Sequence, residues 1–240
     1  MGAKFLSAVI FSVLTLKMDY GWPCDAAVAF EKIETPMSPQ LINYQYTSID
    51  VARVLSVLKN RSEFFTLDGS EILEYRIYRR ENQYILPLIT GHRAQSPYAQ
   101  LAEYVDIFLN HTGTPKEIII PFNPGGHWVT FRVRLPEGGN ISIEYIDSLG
   151  SGSMLSPQSA PFIDTLKRYF PEKNLDTPLV SRPRLQTDGV SCGVIMVENI
   201  LSLFEAPEFP KAQVMDREKI LSIRHRHLKF LKENSWDLDK

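Results

Sequence analysis

The segment QTDGVSCGVIMVENILSLF, Gln186 to Phe204, passes from a polar loop directly into an apolar helix, and any fold of this chain has to bury it. Within it Val194, Val197, Leu201 and Phe204 recur three to four residues apart, the spacing of a buried helical face. Ser191 has the residue type and position of an N-cap, which puts Cys192 in the first helical turn. There the helix dipole and free backbone N–H groups favour an anion. A thiol so placed is expected to ionise below its ordinary pKa of ~8.5. The competing reading is a small buried hydrophobe, the commoner fate of a free cysteine.

The chain has 240 residues, room for one well-buried domain or a domain with a small appendage. Its formal charge of -2 offers no general attraction to nucleic acid. Cys24 and Cys192 are the only cysteines, too few for a disulfide framework and unlike a zinc site. A Cys24–Cys192 disulfide would require an oxidising compartment. Near the N-terminus, Phe5 to Leu16 is nearly all apolar but too short to span a bilayer, so no stable membrane insertion is expected. Ala27-Val28-Ala29 could be a signal-peptide cleavage site, yet the connecting piece is long and polar. A buried helix or strand is the favoured reading of that stretch.

Three regions follow: an N-terminal segment at 1–40, a helical accessory and substrate-contacting region at 41–116, and a catalytic core with a C-terminal helix at 117–240. In the second region Thr47 and Asp50 are spaced as a capping box, with Ile49, Val51, Val54, Leu55 and Leu58 as the apolar face. Ser96-Pro97 opens another helix that should stop near Gly113. In the third region, MDREKILSIRHRHLKFLKEN reads as a basic amphipathic helix with His225 and His227 at its surface.

The core opens with EIIIPFN, a strand for a doubly covered position. GHWVTFRVRL then alternates, and so does ISIEYIDS after the turn PEGGN, which together describe a β-hairpin. Centring the turn on Glu137 pairs Val133 with Ile141, Phe131 with Ile143 and Val129 with Tyr145. The same register sets His127 opposite Asp147, within easy reach of an imidazole–carboxylate hydrogen bond. A slip by two residues would keep both on one face, whereas a slip by one would not. A purely structural His–Asp pair at a strand end is the alternative.

A nucleophilic cysteine needs a base, a group to orient that base and donors for the developing oxyanion. His127 can be the base and Asp147 its orienting group. Gln186, with the Cys192 backbone N–H, can supply the oxyanion donors. Gly189 and Gly193 leave the turn at the nucleophile clear of side chains. His92 and His111 compete for the base role, but neither lies in a context directed at a helix-start cysteine.

The segments IIIPFN…GHWVTF, IEYIDSLG and QTDGVSCG, in this order, resemble the clan CE ubiquitin-like-protein cysteine peptidases, which include the SUMO- and NEDD8-specific proteases and many bacterial effector deubiquitinases. The resemblance covers residues 117–205 and implies a papain-like α+β core: a central mixed sheet flanked by helices, with the nucleophile at a helix N-terminus. It implies His127, Asp147, Gln186 and Cys192 as the catalytic set. Trp128 would roof a narrow channel for a Gly-Gly tail (its alternative being a core aromatic), and Gly189 would be the second substrate-binding residue. The implied reaction is hydrolysis after that tail through a thioester, with no metal and no cofactor, in a monomer whose partner is ubiquitin or a ubiquitin-like modifier. The implied location is cytoplasmic or nuclear, or the host-cell cytosol for a bacterial effector. Two other readings stay open: a clan CE acetyltransferase using the same residues with acetyl-CoA, for which RHRHLK could be offered as an inositol-phosphate site, and a non-catalytic modifier-binding module.

Overall fold

The computed structural model describes residues 43–67, 69, 72–90, 96–149, 157–206 and 212–233. Cys24, the 27–29 site, the rest of 1–40 and His92 lie outside these residues. Helix α1 (Ser48–Leu55) begins with the capping box read from the sequence: the Thr47 hydroxyl accepts from the Asp50 N–H, and the Asp50 carboxylate accepts from the Thr47 N–H. Strands β1 (Glu63–Phe65), β2 (Ile77–Arg80), β3 (Gln83–Ile85) and β4 (Ile89–Thr90) precede α2 (Pro97–Thr112). The region before residue 117 is therefore more than helical. Next come β5 (Glu117–Asn123), β6 (Val129–Arg134), β7 (Ser142–Ile146), α3 (Ala160–Tyr169), β8 (Leu179–Ser181) and β9 (Arg184–Gln186). The described chain ends with α4 (Cys192–Glu205), β10 (Gln213–Met215) and α5 (Arg217–Glu233).

One mixed sheet organises the molecule, in the order β1-β2-β3-β5-β6-β7-β8, with β4 also paired to β5; β9 and β10 form a separate parallel pair. Pro121 sits inside central β5, where β3 has ended opposite Ile119 and β4 starts opposite Phe122. A residue without an N–H fits best at such a gap. The sheet is covered on both sides. Helices α1, α4 and α5 pack on one face with Tyr78, Ile119, Trp128 and Ile146. Helices α2 and α3 cover the other, over Ile118, Phe122, Phe131 and Tyr145. The fold is thus the expected α+β core, a central mixed sheet flanked by helices.

Burial on both faces corrects two helical faces read from the sequence. Ile49 is half exposed, while Asp50, Val51 and Ala52 beside it are buried, so the buried face of α1 lies on those residues instead. Helix α4 is buried on nearly every side, with Ile195, Met196, Ile200 and Leu203 joining the expected positions and Leu201 only partly covered. It is the central helix of its layer. The same covering explains how β6 can turn Arg132 inward, where the guanidinium grips both Glu117 carboxylate oxygens at 3.0 Å.

The β6–β7 hairpin has the predicted faces but a different register. Thr130 pairs with Ile146, Phe131 with Tyr145 and Val133 with Ile143, two residues from the expected alignment. Gly138, at φ +69°, adopts the left-handed conformation that glycine tolerates, and the turn centres there rather than on Glu137. Because the shift is even, every side chain keeps its face.

Candidate active site

Extended to its end, this register puts Val129, not His127, opposite Asp147, so His127 reaches Asp147 diagonally from the turn preceding β6. The hydrogen bond is made nonetheless, with His127 Nε2 2.7 Å from Asp147 Oδ1. The same carboxylate oxygen accepts from the Leu149 N–H at 2.9 Å, and Asp147 is buried, so the acceptor is held in place. With Nε2 on Asp147, Nδ1 is left for Cys192, which lies near enough to influence the ring. Burial alone would lower the imidazole pKa. The hydrogen bond and charge of Asp147, with the nearby Cys192, outweigh it and raise the value from 6.5 to about 9. The ring is therefore held ready to carry a proton.

Cys192 is a free, buried thiol at the first residue of α4, as the sequence indicates. Its N–H is among the first-turn donors with no intrahelical acceptor. Ser191 occupies the N-cap position, but its hydroxyl does not cap. It donates instead to Asp188 Oδ2 at 2.7 Å, while Asp188 Oδ1 accepts from the Val190 and Ser191 N–H groups at 2.9 and 2.8 Å. Asp188 thus organises the loop before Cys192, a role foreshadowed only by the turn signature Asp188-Gly189.

Gln186 arrives on β9, which Arg184 ties to α4 through Asn199 Oδ1 at 2.6 Å and Ser202 Oγ at 2.8 Å. The Gln186 amide is oriented from both ends: its oxygen accepts from Ser148 Oγ at 2.6 Å and its nitrogen donates to the Asp188 carbonyl at 2.5 Å. One amide hydrogen stays available. Ser148, next to Asp147, links the end of β7 to Gln186 and was not singled out from the sequence.

Trp128 is 2% exposed, with its indole N–H donating to the Tyr46 carbonyl at 3.1 Å. The two glycines behave differently. A Cβ on Gly189 would meet nothing within 4 Å, whereas one on Gly193 would lie 2.8 Å from Tyr46 Cβ and 3.0 Å from Trp128 Cδ1. Gly193 is therefore required by packing of the helix start, which corrects its reading as substrate clearance. Gly193→Ala is expected to destabilise the fold by about 1–3 kcal/mol through overpacking. A thermal melt would register this as about 2–4 °C lost per kcal/mol for a chain of this size.

His111 Nδ1 bonds the Ile107 carbonyl at 2.7 Å near the end of α2, a local contact within its own helix. His227, expected at the surface, is 3% exposed: Nδ1 contacts Tyr46 Oη and Nε2 contacts Glu198 Oε1, each at 2.9 Å. Burial holds this imidazole below its ordinary pKa against the pull of Glu198. Arg224 is buried as well, and Arg226 pairs with Glu198 at 2.6 Å. Arg224 and His227 of the RHRHLK segment are therefore consumed by internal contacts, while Arg226 and Lys229 stay exposed. The partners of the buried pair, Tyr44 and Tyr46, lie about 180 residues away, so no local pattern could have announced them.

The model of the Ulp1 protease family, C-terminal catalytic domain, matches residues 112–236. The catalytic domain of a Ulp1-like SUMO protease from Chaetomium thermophilum is similar in structure, at 14% identity and a TM-score of 0.50 over 82% of this chain and 78% of that one. The Rickettsia bellii effector protein RickCE shows 14% identity and a TM-score of 0.48, over 79% and 95% of the two chains. The Xanthomonas campestris effector XopD, solved bound to ubiquitin, shows 14% identity and a TM-score of 0.45, over 82% and 98%. No curated protein matches by sequence.

Proposed function

The chain belongs to the Ulp1 protease family, and from that membership we propose that it is a cysteine peptidase cutting after the C-terminal Gly-Gly of ubiquitin or a ubiquitin-like modifier. The observation carrying this reading is the 2.7 Å His127–Asp147 bond together with Cys192 at the start of α4, near enough to raise the pKa of the same imidazole. Cys192 Sγ, its proton already held by His127, attacks the carbonyl carbon of the terminal glycine. The Gln186 amide and the Cys192 N–H receive the negative charge on the carbonyl oxygen. As the C–N bond breaks, His127 returns the proton to the leaving amine. Water, deprotonated by His127, then hydrolyses the thioester.

Access favours a substrate tail without side chains. Trp128 forms the wall beside Gly193, and Gly189 leaves open space in the loop before the nucleophile. Residues 41–116 would carry modifier contacts. Gln45 Nε2 donates to the Gly126 carbonyl at 3.1 Å, which sets the approach to α1, with its exposed Ile49, beside the His127 loop. The enzyme would act as a monomer, in the cytoplasm or nucleus or, as an effector, in host cytosol. No helix among the described residues is long and apolar enough to cross a membrane.

A panel of ubiquitin, SUMO, NEDD8 and the interferon-induced modifier, each ending in a propargylamide, tests the proposal. At least one member should become covalently attached at Cys192, and the member that reacts fastest names the substrate. Failure of the whole panel would sink the peptidase reading.

A further inference from the structure

A buried cation lies behind the nucleophile's loop, outside the set of groups that touch the substrate. Arg224, on α5, is 0% exposed. One guanidinium nitrogen donates to the Tyr44 carbonyl and the other terminal nitrogen to Ser191 Oγ at 3.2 Å, with the group 5.4 Å from the Tyr46 ring centroid. Its Nε has no acceptor, and none of its hydrogen bonds is to a carboxylate. Burying a guanidinium on such terms costs several kcal/mol, and an apolar side chain would pack α5 at lower cost.

What the charge reaches explains its retention. Ser191 Oγ relays it to Asp188 Oδ2, Asp188 Oδ1 gathers the Val190 and Ser191 N–H groups, and the Asp188 carbonyl holds the Gln186 amide. A single fork on α5 thus ties segment 44–46, which also accepts the Trp128 indole, to the loop that carries both oxyanion donors. A lysine ammonium lacks the planar fork needed to serve two acceptors on separate segments.

We propose that Arg224 is a positioning residue for the reaction, fixing the Asp188–Ser191 loop so that the Gln186 amide and the Cys192 N–H converge on one oxyanion. The inference rests on the peptidase reading for its kinetic consequence and on the geometry alone for its structural one.

The test uses the full chain with Arg224→Gln, Arg224→Lys and Ser191→Ala. Losing one well-placed oxyanion donor typically costs about 10²–10³ in rate, so Arg224→Gln should lower kcat on a modifier-linked fluorogenic amide about 100-fold, with KM changed by less than about twofold. Arg224→Lys should lose about tenfold. Alkylation of Cys192 by iodoacetamide, which develops no oxyanion, should stay within about threefold of wild type. Amide exchange at Val190 and Ser191 should quicken at least about tenfold, since their common acceptor Asp188 is released. If Arg224→Gln does not fold, Ser191→Ala, which removes only the relay, must show the same faster exchange. A folded Arg224→Gln with wild-type kcat and exchange would overturn the proposal, as would equal losses in alkylation and turnover. Should wild type cleave no modifier, the peptidase reading fails, while the exchange comparison still decides whether Arg224 fixes the loop.

Discussion

Cys192→Ala is expected to reduce modifier hydrolysis to background and to abolish capture by the propargylamide probe, while leaving the fold intact. Removing the nucleophile of a comparable triad costs about 10⁶ in kcat, because the remaining groups have nothing to activate. The structural cost is small. The side chain is buried at the first turn of α4, so the change deletes one sulfur atom, and deletions of that size cost on the order of 1 kcal/mol. The contrast separates the two readings of this residue. A buried hydrophobe would give a matching stability loss with activity retained, whereas a nucleophile gives lost activity with a thermal midpoint within a few degrees of wild type. Cys192→Ser sharpens the comparison, since it restores a polar atom but not a thiolate and should stay inactive. Full turnover by either variant, measured with a modifier-linked fluorogenic amide, would remove Cys192 from the mechanism.

How much of this site was legible depended on whether the partners lay close in sequence. Thr47 and Asp50 are three apart, and their reciprocal bonds formed as the spacing indicated. The strict alternation of β6 and β7 fixed which side chains share a face, which brought His127 and Asp147 together although the register was two residues off. The offset came from the turn, where Pro136-Glu137-Gly138-Gly139 offers several centres and only backbone conformation selects Gly138. Contacts spanning the chain left no local trace. Tyr46 with His227, Tyr44 with Arg224 and Trp128 with Tyr46 belong to segments that meet only when α1 and α5 close over α4. For that reason His227, read as a surface residue, proved to be buried, as did Arg224 on the same helix.

Asp147→Asn carries the second large expected effect, and its signature lies in pH dependence. In wild type, protonated His127 is favoured by the hydrogen bond and charge of Asp147 and by Cys192, against the opposing influence of burial, with the balance at about 9. An active cysteine–histidine pair needs that proton in place for the leaving amine, so kcat/KM should fall along an alkaline limb centred near 9. Asparagine removes the carboxylate charge and weakens the hydrogen bond, while burial continues to disfavour the cation. The limb should therefore move down, towards or below the ordinary 6.5, with a loss of about 10²–10⁴ in kcat/KM at pH 8 as the ring loses both charge and orientation. Stability follows the same linkage. Because folding raises the His127 pKa, its contribution is complete below about 6.5, the value for the unfolded chain, and is lost as pH rises through about 9. Wild type should lose thermal stability across that window, and Asp147→Asn should lose much less. A variant limb that stays near 9 would show that Asp147 does not govern the imidazole and that the 2.7 Å contact is a structural pairing.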